Sequence, residues 1–391
     1  SKSAWYVLTF TEFGGCKYSD SVFVPEDACI DPYYPSPPGG KVYDLIGSEL
    51  NSLSKNSSYT DSVGHIYYIQ NDSVLIEVVA RVGQYNTLLT LLQTTSYGIT
   101  NLINNGPGTL IISGLYPVQN LLKLDSLPNL INFVRPLYPA LISRGVALTQ
   151  GDEVMQNDFV RGGYNVNGEN TRIGVLSDSY NTQPGNPAQT DVTNEDLPGA
   201  GNPINANPVT VLKDYPNGVG TDEGRAMLQI VHDIAPKADL AFRTGYISPG
   251  DFAQGIYELQ NDSCDIIVDD ITYITEPFLQ EGVVAKAVND VSAQGVTYIT
   301  AAGNFGNKSY GSTFNPAPIT SGIPGVAHDF GSGDIFQSIS LQPGNYTVVL
   351  QWQDSIYSIG QTSTGTNNDL DIYLTDDFGN TLFGFNRNNL G

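Results

Sequence analysis

A chain of 391 residues exceeds what one ordinary hydrophobic core organises, so two to four domains are expected, and 40% hydrophobic with 10% aromatic residues argues for packed cores rather than disorder. Only 17 Lys and Arg stand against 40 Asp and Glu, a formal net charge of -23. Such a surface repels phosphate backbones and anionic lipid, which excludes nucleic acid and membrane surfaces as partners and suits an extracellular protein that takes cations or basic peptides.

No apolar run reaches the roughly 18 residues of a membrane span. No signal-peptide pattern opens the chain at Ser1, a start compatible with a processed leader. Cys16 and Cys29 flank a Gly/Pro-rich stretch and either close a small disulfide loop or stay free; Cys264 sits in an apolar run and reads as a buried thiol. His65, His232 and His328 are the only histidines, and none has zinc-site spacing with a cysteine.

In chain order, residues 1–60 begin with a strand-like segment, Trp5–Phe10, and break at Pro35–Gly40, which marks a small N-terminal module of unknown role. Residues 61–140 predict an α+β domain. His65–Gln70 and Val74–Val82 pair across Asn71-Asp72-Ser73, and Tyr85–Leu92 is helical. A second round follows, with strand Gly108–Ser113, helix Val118–Leu124 and strand Leu130–Pro136, and two β-α-β rounds fit a ferredoxin-like domain.

Residues 141–330 change character. Short apolar strands without polar alternation (Arg172–Leu176, Ala238–Phe242, Asp265–Val268, Thr297–Ala301) are separated by helical segments (Asp222–Asp233, Pro249–Asn261, Glu281–Gln294). This pattern predicts an α/β fold with a parallel sheet covered on both faces. In such sheets the working residues sit at the carboxyl ends of the strands. Residues 331–391 turn to β character (Val348–Trp352, Asp369–Leu374) between Gly/Ser/Thr/Asn-rich turns, and Asn380–Gly391 resembles an unfinished hairpin, so a partial β-sandwich insert is expected.

Three motifs carry chemistry. Ile173–Tyr180 is an apolar strand ending in Asp178-Ser179. By itself, a strand-end aspartate is more often a cap or turn residue than a catalytic one. Asp222–Pro236 opens a helix with two acids beside Gly224, and acids at helix starts are favoured by the helix dipole whatever their function. Val296–Gly306 is a buried strand running into Ala301-Ala302-Gly303-Asn304. An Asn amide held there can donate to a developing oxyanion, or can simply fill a left-handed turn.

In this order the three motifs resemble the subtilisin/sedolisin superfamily of serine peptidases. The resemblance spans roughly residues 145–325. Asp178-Ser179 matches the subtilisin acid block, with Tyr180 where glycine is usual. The second block of subtilisins begins His-Gly-Thr; here Glu223-Gly224-Arg225 stands in its place. Sedolisins put a catalytic Glu there, with Ala-Pro at the offsets where Ala235 and Pro236 fall. They also keep an Asp four residues after the Glu, where this chain has Met227, and an Asp in place of Asn304. The chain thus resembles a hybrid of subtilisin scaffold and sedolisin-like base.

The resemblance implies a secreted or cell-surface endopeptidase acting on polypeptides, with Asp178, Glu223 and Asn304 catalytic and Asp269 and Asp270 lining the substrate cleft. Glu223 would activate a serine and Asp178 would orient Glu223. Because a Glu base titrates near 4.3 rather than the 6.5 of His, acidic working pH is expected. It also implies that residues 61–140 are a propeptide-like domain acting on the cleft of its own chain.

The nucleophile motif Gly-Thr-Ser-x-Ala-x-Pro is absent; Gly311–Pro318 and Thr362–Gly365 lack its order. A downstream segment is therefore expected to supply the serine. The alternative is a non-catalytic pseudo-protease serving surface binding, adhesion or assembly. No cofactor is expected, and Asp369, Asp371, Asp376 and Asp377 leave room only for a structural calcium.

Overall fold

The computed structural model describes residues 4–11, 17–24, 45–55, 68–103, 105–137, 141–142, 151–306, 308–319, 325–340, 346–355, 365–376, 380–385 and 388–389. Cys16, Cys29, His65 and Asp377 lie outside them. The chain divides into two compact units, one of residues 45–307 with 355–364, the other of residues 1–44, 308–354 and 365–391.

The second of these units contains short antiparallel hairpins. Strands β1 (Ala4–Thr11) and β2 (Lys17–Val24) form the first.

In the larger unit, helix α1 (Ser48–Lys55) precedes strands β3 (Ile69–Gln70) and β4 (Ser73–Ala80). The turn between them places Asn71 and Asp72 at φ 48° and 57°, the left-handed pair that a two-residue hairpin requires. Helix α2 (Tyr85–Leu92) leads to β5 (Thr100–Ile103) and β6 (Ile111–Pro117); a 3-10 helix, Val118–Ser126, leads to β7 (Ile131–Pro136). The antiparallel sheet runs β3–β4–β6–β5, with β7 also on β4, so each helix joins strands separated by a third: a split β-α-β arrangement.

Alternate residues Val74, Ile76 and Val78 of β4 meet Leu50, Leu88, Leu92, Leu121 and Leu124 in one core. The opposite face buries Leu75, Leu115 and Leu137. Two local details depart from expectation. The predicted strand at Gly108 starts only at Ile111, because Pro107–Thr109 winds into a 3-10 turn and Leu110 takes φ 61°. Strand β5 was not foreseen, since its mostly exposed edge residues carry no apolar pattern. A Cβ at Gly114 would lie 2.7 Å from Thr100 O, so glycine there permits β5 to approach.

Strand β8 (Leu141–Ile142) and helices α3 (Gly151–Val154) and α4 (Asn157–Tyr164) lead into the parallel sheet. Its members follow as β9 (Arg172–Ser177), helix α5 (Pro187–Thr193), β10 (Thr210–Lys213), α6 (Glu223–Ile234), β11 (Asp239–Thr244), α7 (Pro249–Asn261), β12 (Ile266–Asp269), the short β13 (Ile271–Thr272), α8 (Val283–Ser292) and β14 (Thr297–Thr300). The order is β10–β11–β9–β12–β14, and every neighbouring pair is parallel.

Helices cover both faces. Ile173, Val175, Leu240 and Phe242 pack with Leu228 of α6, while Leu176, Ala241 and Ile267 pack with Phe252 and Ile256 of α7 and Ala287 of α8. The molecule is thus a mixed α/β fold with a parallel sheet and flanking helices. The chain leaves β9 toward β11 on one side of the sheet and leaves β12 toward β14 on the other, so the crevice beyond their carboxyl ends is the switch point where open α/β sheets bind ligands.

The split β-α-β layer meets the parallel-sheet layer through polar contacts. Asn105 Oδ1 accepts from Ser248 Oγ at 3.0 Å, beside the start of α7. Buried Glu77 pairs with Arg135 Nε at 2.7 Å, and both act electrostatically on Glu276 after β13.

In the smaller unit, the later hairpins are β15 (Pro316–Pro318) with β16 (Val326–His328), and β17 (Ile372–Thr375) with β18 (Thr381–Phe385). The strand expected over Val348–Trp352 has no ladder partner among the described residues, and Val348, Val349 and Leu350 are exposed.

Candidate active site

Asp178 follows the last residue of β9, where the strand presents it to the crevice; it is 2% exposed. Its two oxygens accept four hydrogen bonds. Ser179 N and Glu223 N donate to Oδ1 at 2.5 and 2.9 Å, and Thr221 N and Oγ1 donate to Oδ2 at 2.5 and 2.6 Å. Asp178 therefore satisfies the otherwise orphaned N–H groups at the start of α6 and fixes Glu223, the first residue of that helix, at the crevice.

The contact needs glycine on both sides. A Cβ on Gly220 would collide with Ser179 Oγ, and one on Gly224 would collide with the Phe242 ring and the Ser179 carbonyl.

A second carboxylate, Asp222, was read from sequence only as one of two helix-start acids. It adopts φ 58° and is buried. Its Oδ1 accepts from Ser179 Oγ at 2.9 Å and from Thr182 N and Oγ1, each at 2.8 Å; its Oδ2 accepts from Gln183 N at 3.1 Å and pairs with Arg225 Nη1 at 2.5 Å. Burial alone would raise this carboxyl, but the donors from Thr182, Arg225 and Ser179 outweigh it and hold it down to about 2. Arg225 also pairs with Asp191 at 2.8 Å and donates to Tyr180 O at 2.6 Å, which ties the loop after β9 to α6. Apart from the Asp222–Arg225 pair itself, these contacts join segments 34 to 45 positions apart in the chain, so no local signal announces them.

One strand over, β12 ends in Asp269, and Asp270 follows. Asp269 accepts from Thr300 Oγ1 at 3.0 Å and Ile271 N at 3.2 Å. Burial nevertheless pushes it up to about 6, against the opposing hydrogen bonds of Tyr298, Thr300 and Ile271. Asp270 is pushed up to about 7, first by burial, with the charges of Glu223, Asp269 and Asp178 adding and the Ser177 hydroxyl opposing. The structure thus brings Asp178, Glu223, Asp269 and Asp270 into one electrostatic neighbourhood at the carboxyl ends of adjacent strands.

Asn304 lies past the end of β14, beyond Gly303 at φ 75°; it is exposed, and no hydrogen bond joins it to the four carboxylates. Directly after Asp270, β13 pairs antiparallel with β8, Ile271 opposite Ile142 and Thr272 opposite Leu141. The segment that follows the split β-α-β layer is therefore paired, in a two-stranded sheet of its own, with the residues directly after Asp270. No sequence pattern announces this pairing, because two-residue strands carry no periodicity.

His232, on the far turn of α6, is buried against Asn202 Nδ2 at 3.1 Å from its Nε2, and burial pushes its pKa down, so it acts as a neutral core residue. Gly311–Thr313 is irregular chain before β15 rather than the start of a helix. Asp369 accepts from Asn389, 20 positions further along the chain, and Asp376 accepts from Asn380 in a local turn.

No family model matches the chain, and no curated protein matches it. Among solved structures it is similar to the epidermin leader peptide processing serine protease (EpiP) of Staphylococcus aureus, with 14% identity and a TM-score of 0.37 over 60% of this chain and 61% of that one. A serine-to-alanine mutant of that protease gives 13% and 0.37 over 59% and 61%. Fervidolysin from Fervidobacterium pennivorans, a keratinolytic enzyme related to subtilisin, gives 12% and 0.34 over 68% of this chain and 44% of that one. The chain spans about three fifths of the length of the first of these. All three scores lie below 0.5, so these are coarse similarities that do not by themselves fix the fold.

Proposed function

We propose that this chain is part of a secreted serine endopeptidase of the subtilisin/sedolisin type, with Glu223 as the proton acceptor in place of histidine and with the nucleophilic serine on a segment outside these 391 residues. The observation that carries the reading is the anchoring of Glu223: its own N–H is bound to Asp178 at 2.9 Å, at the switch-point crevice of a parallel sheet. A carboxylate held at a helix start, beside a crevice open to a peptide, can take a proton from an attacking hydroxyl and return it to the leaving amine. Asn304 is assigned the oxyanion contact, a role it would assume once a scissile carbonyl lies between it and the serine. Asp269 and Asp270 are assigned to the substrate cleft. Residues 61–140 are assigned a propeptide-like role; the segment just beyond them, β8, pairs with β13 directly after Asp270, which favours a position of that segment near the candidate cleft.

The test uses the full-length natural protein, an unfolded polypeptide substrate between pH 3 and 8, and a fluorophosphonate that labels activated serines. Hydrolysis on the acid side with one labelled serine supports the reading. Neither hydrolysis nor labelling leaves the non-catalytic surface-protein alternative.

A further inference from the structure

We propose that Asp270, rather than Asp178, is the carboxylate that positions Glu223, the two side chains holding one proton between them. This rests on the peptidase reading of the site, and it reassigns the role that the family resemblance gives to Asp178.

Three observations lead there. Asp178 has no capacity left to orient a side chain. Its two oxygens already accept from Ser179 N, Thr221 N, Thr221 Oγ1 and Glu223 N, about the four acceptor sites a carboxylate has. It holds the backbone of Glu223 rather than its carboxyl. Asp270, in contrast, has an oxygen to spare: Oδ1 is buried and accepts no hydrogen bond among the described residues. Finally, the sheet register places it correctly. Asp269 lies opposite Leu176, so the next residue of that strand end comes alongside Ser177, one position before Asp178. Glu223 is pinned to that same Asp178, which makes Asp270 and Glu223 neighbours across the crevice.

The charges facing Asp270 are Glu223 from α6, Asp178 from β9 and Asp269 from β12, all negative. The nearest basic group of α6, Arg225, is turned to Asp222, Asp191 and the Tyr180 carbonyl. Two neighbouring carboxylates, each half-buried with one oxygen out of solvent and with no cation facing Asp270 among the described residues, do not both ionise; one keeps its proton and donates it to the other. Burial is the main cause that pushes Asp270 up to about 7, and the Glu223 charge adds in the same direction. A Glu223 bridged in this way has a fixed orientation, and it can take up a further proton without a net positive charge arising in the crevice.

The test is a carboxyl carbon NMR titration of this 391-residue chain, with Asp and Glu labelled, from pH 3 to 9. In the wild type, Glu223 and Asp270 are expected to titrate together in two steps. Asp270→Asn should collapse the Glu223 curve to a single step displaced by at least one pH unit. Glu223→Gln should do the same to Asp270 in return, so a poorly folded variant on one side leaves the other to decide. Asp269→Asn, which removes only a neighbouring charge, should leave two steps. A Glu223 curve that is unchanged in Asp270→Asn, with Asp270 likewise unchanged in Glu223→Gln, overturns the proposal. None of these readouts depends on peptide hydrolysis, so failure of the coupling and failure of the peptidase reading are seen separately.

Discussion

The ends of β9 and β12 are adjacent strand ends carrying the same residue type, and they treat it in opposite ways. Asp222, held against the β9 end, is 3% exposed, and Asp269 at the β12 end is 4% exposed. Yet the first is held down to about 2 and the second is pushed up to about 6. Depth accounts for part of this: Asp222 lies close under the surface, whereas Asp269 has protein on nearly every side. Donor supply accounts for the rest. The turn from Thr221 to Glu223 and the loop from Ser179 to Gln183 aim N–H and hydroxyl groups, with one guanidinium, at Asp178 and Asp222. The β12 end offers its acids fewer donors and places further carboxylates beside them. The β9 end is thus built to hold α6 in place, and the β12 end to keep protons near neutral pH.

The largest effect should come from removing the acceptor at the β9 end. Asp178→Ala leaves four donors without this partner, three at the start of α6 and one, Ser179 N, just after β9. The chain should lose about 4 kcal/mol in a urea unfolding experiment, since each buried orphan donor costs about 1–3 kcal/mol and the losses are not additive. A loss below about 1 kcal/mol would erase the contrast between the two strand ends.

Next comes pH. Carboxyls raised in the folded state contribute stability below their ordinary range that is lost as pH rises toward their folded values. Asp269 near 6, and Asp270 and Glu276 near 7, should therefore make the chain less stable as pH climbs from about 4 to 7. Asp270→Asn removes one such group. It should gain about 2–3 kcal/mol over the wild type at pH 7.5 and nothing at pH 4, read as a pH-dependent difference in unfolding midpoint. Asp222 acts in the reverse sense: its stabilisation is present above the ordinary carboxylate range and fades only as pH falls toward 2.

Packing at the β9 end sets the third effect. Gly224→Ala drives a Cβ into Phe242 and the Ser179 carbonyl, and about 2 kcal/mol should be lost. The smallest effect belongs to the partly exposed cation. Arg225→Gln should cost about 1 kcal/mol, and it should move the acid limb of the stability curve upward because Asp222 loses a donor. Thermal melting at pH 3 and pH 6 measures both parts.

Much of this fold is legible in the sequence where burial is continuous. β9, β11 and β12 read as apolar runs, the strand expected over Thr297–Ala301 forms as β14 but is a mostly exposed edge strand rather than a buried one, and the predicted helices at 222–233 and 249–261 match α6 at Glu223–Ile234 and α7 at Pro249–Asn261 within one residue. Strands β5 and β10, four-residue edge strands with mostly exposed or half-exposed residues, were not read. The acids at 178, 223, 269 and 270 could be picked out one by one as strand-end or helix-start residues. Their division of labour could not, because it depends on contacts between segments more than forty positions apart, such as Ser179 Oγ with Asp222 and Thr221 with Asp178. The left-handed backbone of Asp222 is set by that network as well, and no residue beside it in the chain announces it.

The most direct measurement is the pH–rate profile for hydrolysis of an unfolded polypeptide by the full-length protein, wild type against Glu223→Gln. If Glu223 is the proton acceptor, the wild type should be active on the acid side, and the variant should lose about 10³-fold or more in kcat/KM across the profile. A Glu223→Gln protein that keeps the wild-type rate and the wild-type pH limits would contradict the account.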